Sequence, residues 1–340
     1  MDEPHAFRRD FGRLCPMSTR HSLLSALSDG CFHSGTELGK QLGISRAAVN
    51  KAVQGLVERG LEIHSVSGKG YRWDYPTGLL DRHLIESYLE EAPDLDAPKI
   101  IVVDEIESTS SYLLERLANG ESANEVCLAE HQTGGRGRRG RHWLSNPYQN
   151  LAMSISWRFE SGPARLSGLS IAAGVAIVRA LRSISIEGVE LKWPNDVLHG
   201  GRKLAGILVD IRGEVDGPTH IVVGVGLNVR LRGETSAEID QAWTDLSSIS
   251  GQPLDRNEVA ARLITELRQV LATFGTEGLY PYFQEWKKWH AFENRKVRII
   301  QSENEILGTV CGLDEGGALL LDTSDEIIKI HSGEVSLRAG

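Results

Sequence analysis

The stretch GGRGRRGR, Gly134 to Arg141, sets four glycines among four arginines, and the residues after it limit the fold more than any other part of the chain. Gly135, Gly137 and Gly140 satisfy G-x-G-x-x-G, the phosphate-binding turn of a doubly wound dinucleotide fold. That fold requires a helix to begin at once, so that its first amides meet the pyrophosphate. Here the chain continues as RHWLSNPYQN, with Pro147 inside it, and then as the apolar run LAMSISW. No helix starts on cue, so a Rossmann domain is excluded. What remains is a surface loop between two strands. Its glycines permit unusual φ values and low order when empty. Its guanidinium groups suit bidentate capture of phosphate or carboxylate. The same composition fits a nucleic-acid patch or a solvated loop, and the loop alone does not choose.

A chain of 340 residues exceeds the usual single domain, so two or three domains are expected, each with its own core. No apolar run approaches the roughly 20 residues of a bilayer span, and MDEPHAFRRDFGRLCPMSTR lacks the apolar core of a signal peptide. Residues 1–19 read as a disordered extension, with Met17 an alternative start. Cys15, Cys31, Cys127 and Cys311 are scattered without metal spacing, which favours reduced thiols, a cytoplasmic location and no bound metal. The net charge of −9 argues against a chain coated in nucleic acid, yet residues 20–73 carry seven Lys or Arg against four acids. A small cationic module on an acidic body is expected.

That module reads as helices. HSLLSALSDG has helical apolar spacing and stops at Gly30. SGTELGKQLG starts at the cap Ser34, with Glu37 three residues on, and ends at Gly43. ISRAAVNKAVQGLVERG starts at the cap Ser45 and turns Ala48, Val49, Ala52, Val53, Leu56 and Val57 toward one face. Two helices across a tight glycine turn make a helix-turn-helix. Arg46, Asn50, Lys51 and Gln54 on the second are suited to phosphates and base edges. LEIHSVSGKGYRW reads as a hairpin wing with Lys69 at its tip. A protein-interaction module with solvated lysines is the alternative; the local charge and the wing favour DNA.

From Lys99 the pattern alternates. KIIVVDEI, NEVCLAEHQ, NLAMSISWRF, GVELKW, KLAGILVDIRG and HIVVGVGLNVR read as strands, the last two a hairpin across EVDGPT. SYLLERLANG and ARLSGLSIAAGVAIVRALRSI read as helices, with further helices near 256–274 and 279–289. LKWPNDV puts Lys192 at a strand end and Asn195 and Asp196 on the loop that Pro194 forces. Lys203 precedes a strand in which Gly206 allows close approach. Ser108 and Thr109 open a helix, where capping alone explains them.

Together these residues resemble the biotin protein ligases in their bifunctional form, the biotin operon repressors. The resemblance runs from His21 to Arg338 through FHSGTELGKQLGISRAAVNK, GKGY, EST, EHQTGGRGRRGRHW, KWPND, RKLAGILVD, VGVGLNV and GALLL…GEVSLR. It implies a multidomain α+β protein: a winged helix-turn-helix over 20–75, a linker over 76–98, a mixed α/β biotin/lipoate ligase-like catalytic domain over 99–289, and a small SH3-like β-barrel over 290–340. The implied biotin site is Ser108, Thr109, Ser110, Gln132, Arg136, Gly137, Arg138 and Lys192. The implied ATP or adenylate site is Arg136, Arg138, Trp143, Asn195, Lys203, Asn228, Trp243 and Arg338. Arg138, Lys192, Asp196 and Lys203 are the implied catalytic set, and Ser45, Arg46, Asn50, Lys51, Gln54 and Lys69 the implied DNA contacts. The family's usual S-T-N reads Ser108-Thr109-Ser110 here, and its I-L-V-E ends at Asp210.

The implied reaction joins biotin to AMP as biotinyl-5′-AMP, with ATP and Mg²⁺, and passes the acyl group to a lysine of the biotin carboxyl carrier protein of acetyl-CoA carboxylase. A carboxylate and ATP repel, so cations are needed where they meet. The mixed anhydride hydrolyses readily, so a lid is needed over it; the arginine–glycine stretch is read as that lid. The other implied partners are operator DNA and a homodimer promoted by the adenylate, with no membrane. A lipoate or octanoate ligase on the same core and a catalytically silent ligand-sensing repressor are the alternatives.

Overall fold

The computed structural model describes residues 19–74, 78–89, 95–144, 146–213, 217–231, 241–301, 304–331 and 335–339. The expected N-terminal extension lies outside these residues except for its last, Thr19, and Cys15 lies outside them too. The cationic module begins with α1 (Thr19–Leu27), α2 (Gly35–Leu42) and α3 (Arg46–Val57). Ser34 Oγ accepts the Glu37 amide and Ser45 Oγ the Ala48 amide, each at 3.1 Å, satisfying donors that a helix start leaves orphaned. Gly43 ends α2 at φ 67°. Val49, Val53 and Leu56 bury one stripe of α3 against Leu23, Leu24, Leu27 and Leu38. Ala48 and Val57, expected inward, are exposed: they flank that stripe on its two sides, one residue from Val49 and from Leu56. The wing is the hairpin of β1 (Ile63–Val66) and β2 (Gly70–Trp73).

Within the stretch expected as linker, α4 (Arg82–Tyr88) buries Ile85 in the core of the catalytic body. The body is a seven-stranded sheet. In chain order it is built from β3 (Lys99–Ile106), α5 (Thr109–Ala118), β4 (Glu125–Gln132), β5 (Leu151–Phe159), α6 (Leu169–Ser183), β6 (Val189–Lys192), β7 (Asp196–His199), β8 (Arg202–Gly213), β9 (Thr219–Leu227), α7 (Leu246–Ser250), α8 (Arg256–Glu277) and α9 (Phe283–Trp289). The strand order is β3-β4-β5-β9-β8-β7-β6, with β3 and β4 parallel and the other pairs antiparallel. Alternation divides the faces. Ile100, Val126, Leu128, Ile221 and Val223 join the large core under α6 and α8, whereas Ile101, Cys127 and Val222 meet Leu113 and Leu114 of α5 on the other face.

Two expectations change here. The long helix expected from Ala164 is broken, because a 3₁₀ turn at Pro163–Leu166 gives way to Gly168 at φ 81° and α6 begins only at Leu169. A methyl on Gly168 would stand 2.5 Å from Leu279 Cδ2, and one on Gly317 would stand 2.9 Å from Gly168 Cα. Asp196, expected on a loop, is the first residue of β7 and pairs with Lys192 across a three-residue turn, so Pro194 makes a hairpin rather than ending the sheet. The chain closes with β10 (Lys296–Gln301), β11 (Asn304–Leu313), β12 (Leu319–Asp322), β13 (Ile327–Ile330) and β14 (Val335–Ala339), one antiparallel sheet in the order β13-β12-β11-β10-β14.

Both end domains are fastened to the body. Tyr148, 2% exposed, packs into the core of the winged module and its hydroxyl donates to Asp104 at 2.6 Å. Gln149 Nε2 donates to the Gly60 carbonyl at 3.0 Å, and Arg59 pairs with Glu105 at 2.9 Å. At the other end Trp193 Nε1 donates to the Gly317 carbonyl at 3.0 Å.

Candidate active site

The cavity lies on the α5 face of the sheet, between α5, the arginine–glycine loop and the β6–β7 turn, with a volume of about 180 Å³. Its neutral end begins at Ser108, which caps α5 and thereby sets Thr109 and Ser110 over the sheet. Gln132 Oε1, at the end of β4, accepts from the Thr109 amide at 2.8 Å and from Thr109 Oγ1 at 3.0 Å. Ser154 Oγ stands 2.7 Å from Thr109 Oγ1 and 2.9 Å from Ser110 Oγ. Four side chains thus form one connected chain of hydroxyl and amide groups without net charge. Such a set suits a neutral polar ring with donors and acceptors on its rim.

The floor is bare backbone. Gly206, Gly224 and Gly226 face the cavity on β8 and β9. A methyl on Gly224 would come within 2.6 Å of Ser110 Oγ, and one on Gly226 would run into the Trp143 indole. Only glycine lets the hydroxyl chain and the indole lie this close to the sheet.

The charged end gathers cations. Lys192 closes β6 and lines the cavity. Lys203 Nζ pairs with Asp196 Oδ1 at 2.7 Å and stands 5.5 Å from the Trp143 ring centroid. Asn195 Nδ2 donates to the Ile207 carbonyl at 2.7 Å, which fixes the turn to β8. Its Oδ1 accepts from Arg138 Nη1 at 3.2 Å. Arg136 Nη2 reaches Asp210 Oδ2 at 3.0 Å. The loop carrying both arginines is a narrow ribbon: Gly137 N donates to the Arg141 carbonyl at 2.7 Å and Trp143 N to the Gly135 carbonyl at 2.9 Å. Burial draws the Arg138 pKa below the usual guanidinium value, neighbouring Arg139 adds to this, and Asp196 opposes both. A guanidinium so placed gains from an arriving anion.

Ser108, Thr109, Ser110, Gln132, Arg136 and Gly137 therefore meet Arg138, Trp143, Lys192, Asn195, Asp196 and Lys203 around one cavity. Two of the expected residues stand elsewhere. Asn228 Nδ2 donates to the carbonyls of Thr244, at 3.0 Å, and Lys203, at 3.4 Å; it holds the segment after residue 240 against β8. Trp243 lies in that segment, bridged to Lys203 through the backbone, and neither lines the cavity. Arg338 lies in β14, paired with Arg298, and its side chain is outside what the structure describes. In the winged module Ser45 is occupied as a cap, while Arg46, Asn50, Lys51, Gln54 and Lys69 are exposed. Ser154, Gly224 and Gly226 were not foreseen. Ser154 had a signal: it breaks the apolar run of LAMSISW on the strand face opposite Met153 and Ile155.

Among the described residues no group of three or more His, Cys, Asp or Glu is placed to hold a metal ion, and no helix is long and apolar enough to cross a membrane.

Comparison with known proteins bears on this geometry. The model of the Biotin/lipoate A/B protein ligase family matches residues 102–228, that of the Biotin protein ligase C terminal domain matches 294–338, and that of an HTH domain matches 20–72. The bifunctional ligase/repressor BirA of Salmonella typhimurium is 43% identical over 318 residues, covering 94% of this chain and 97% of its own. That of Escherichia coli is 42% identical over 317 residues, covering 93% and 96%. A biotin protein ligase from Aquifex aeolicus, solved in complex with biotin and ATP, superposes with a TM-score of 0.61 at 30% identity, covering 71% of this chain and 99% of its own.

Proposed function

The chain belongs to the biotin protein ligase family in its bifunctional ligase/repressor form, and on that premise we propose how its residues share the work. The protein is an ATP-dependent biotin ligase and a DNA-binding repressor. The observation that carries the ligase assignment is a cavity with an uncharged hydroxyl–amide end and a cationic end. Biotin has the matching asymmetry, a neutral ureido ring and a carboxylate.

Thr109, Ser110, Gln132 and Ser154 hold the ring, with Ser108 fixing the start of α5. Lys192 and Lys203 face the carboxylate and the α-phosphate, where negative charge builds as the acyl–phosphate bond forms and pyrophosphate departs. Arg136 and Arg138 close over the product, and the loop keeps water from biotinyl-5′-AMP. Asp196, already bonded to Lys203, stands where an acceptor lysine's amine would enter and orients it for attack on the acyl carbon. Trp143 packs beside the adenylate over the glycine floor. Asn195 fixes Arg138 to the β6–β7 turn. Asn228 and Trp243 act one step removed, by holding the wall near Lys203, and Arg338 approaches the nucleotide from the C-terminal domain. Mg²⁺ fits as the counter-ion that ATP brings on its own phosphate oxygens, since Asp196, which lines the cavity, is engaged by Lys203, and Asp210, outside the lining, by Arg136.

The working division is a DNA-binding module over 20–75, a catalytic domain over 99–289 and a C-terminal domain over 290–340. The carrier protein and operator DNA are the macromolecular partners. Adenylate-driven homodimerisation sets two recognition helices on a two-fold site. Needing both ATP and DNA, the protein works in the cytoplasm. The test is biotin-dependent exchange of pyrophosphate into ATP, and then transfer to purified carrier domain. No exchange with biotin refutes the ligase reading, and exchange with lipoate instead moves it to the sister chemistry.

A further inference from the structure

The recognition helix α3 is tied to the wing by a side-chain hydrogen bond: Tyr71 OH, on β2, donates to Asn50 Oδ1 at 3.1 Å. Asn50 is exposed on α3 while Tyr71 is 9% exposed, so the hydroxyl is the fixed partner. Tyr71 is held on both sides. Its amide donates to the His33 carbonyl at 2.8 Å and its carbonyl accepts from the His33 amide at 2.9 Å. Its ring edge lies so near Gly35, the first residue of α2, that a methyl there would stand 3.1 Å from Cε2. Gly70, at φ 100°, brings the strand against the His33 carbonyl where no side chain fits.

An exposed asparagine otherwise rotates freely about its last torsion and presents oxygen and nitrogen interchangeably. With Oδ1 held by Tyr71, the second lone pair of Oδ1 and both N–H groups of Nδ2 remain available on one fixed plane. That pattern is the complement of the major-groove edge of adenine, whose N6 amine donates and whose N7 accepts. Resting on the DNA-binding reading of this module, we propose that Asn50 reads one adenine per half-site and that Tyr71 is the positioning residue that fixes its amide. Base choice then depends on the wing being docked, although the wing residue itself touches no base.

The test selects from duplexes with a randomised central window, in the presence of biotin and MgATP. The wild-type chain is expected to enrich two-fold-related half-sites with one position held as adenine. Asn50→Ala should abolish that preference and weaken the selected duplex roughly 10- to 100-fold. Tyr71→Phe, which keeps the ring, should relax the same position alone and weaken binding roughly 3- to 10-fold. Added to Asn50→Ala, Tyr71→Phe should change nothing further. Affinity for a scrambled duplex should be alike in all four proteins, whereas a merely structural loss would weaken both duplexes together. Unchanged base preference in Tyr71→Phe, or equal loss on the scrambled duplex, overturns the assignment and leaves DNA reading intact. A wild-type chain that enriches no sequence removes the DNA-binding reading, and the assignment with it.

Discussion

Replacing Arg138 by glycine tests the lid most directly. The guanidinium is half-buried, bonds Asn195 Oδ1 at 3.2 Å, and has its pKa drawn down chiefly by burial. It is a desolvated cation bonded to a neutral amide, so an adenylate phosphate is the stronger partner. A hydrogen bond to a charged group is worth about 1.5–3 kcal/mol. Glycine adds roughly 0.5–1 kcal/mol of backbone freedom that closure must remove. The sum, about 2–4 kcal/mol, corresponds to adenylate release some 30 to 1,000 times faster. The assay forms radiolabelled biotinyl-5′-AMP on the enzyme, adds excess unlabelled biotin and ATP, and tracks bound label by rapid gel filtration. Arg138→Lys, which keeps charge without the planar fork, should fall between the wild type and Arg138→Gly. The leaked adenylate should acylate exposed lysines on bystander proteins. Release within threefold of wild type would remove Arg138 from the lid.

Buried groups give three further outcomes. Arg256 and Glu130 form an ion pair at 2.7 Å with neither side chain exposed, and Glu130 also accepts the Leu80 amide; Glu130→Gln should cost about 3–5 kcal/mol in denaturant unfolding, and a loss below 1 kcal/mol would show the pair to be dispensable. His290 stacks on Trp286 at 4.1 Å, and its pKa is lowered from 6.5 by burial, with Glu293 opposing. Above pH 6.5 the ring is neutral in both states; below it the unfolded chain binds a proton that the native one resists, so stability should fall with pH, and His290→Phe should flatten that part of the profile. Burial also raises the Cys127 thiol far above its ordinary range, whereas Cys31 is exposed; alkylation of the native protein should mark Cys31 and spare Cys127, and equal labelling would contradict the core placement.

The sequence was most legible where a structure is decided within a few residues. Ser34 and Ser45 act as caps because a hydroxyl and an amide three residues on are enough. The strands of β3, β4 and β9 are legible because their apolar runs reflect cover on both faces. What was missed depends on partners distant in the chain. Gly168, at φ 81°, packs against Leu279 and Gly317, contacts far along the chain that its local sequence does not carry. Ser154 belongs to the site because Thr109 and Ser110 lie across the sheet from it, and alternation tells only which face it takes. Asp196 pairs with Lys192 in a hairpin that a proline suggested should not exist. Asn228 was expected at the nucleotide on the resemblance alone, whereas its Nδ2 donates to the Thr244 and Lys203 carbonyls.

The two ion pairs at the cavity differ in a way that matches their tasks. Arg136 is 42% exposed and Asp210 25%, so water and salt screen them and the pair is worth about 0–1 kcal/mol. Arg136 can therefore leave Asp210 for a ligand at little cost. Lys203 and Asp196 are 17% and 18% exposed, and separating them would strand two poorly hydrated charges. Lys203 has no need to leave: an ammonium has three N–H donors, so it can keep Asp196 and still meet an α-phosphate. In the proposed mechanism Asp196 then stays beside the reacting acyl group through both half-reactions, held by the cation assigned to the anhydride-forming step. A chain of net charge −9 thus pairs the cations proposed to collect two anions unequally. On the proposed roles, the loop arginine would exchange partners as the ligand enters and leaves, while the strand lysine would add a partner and keep the one it has.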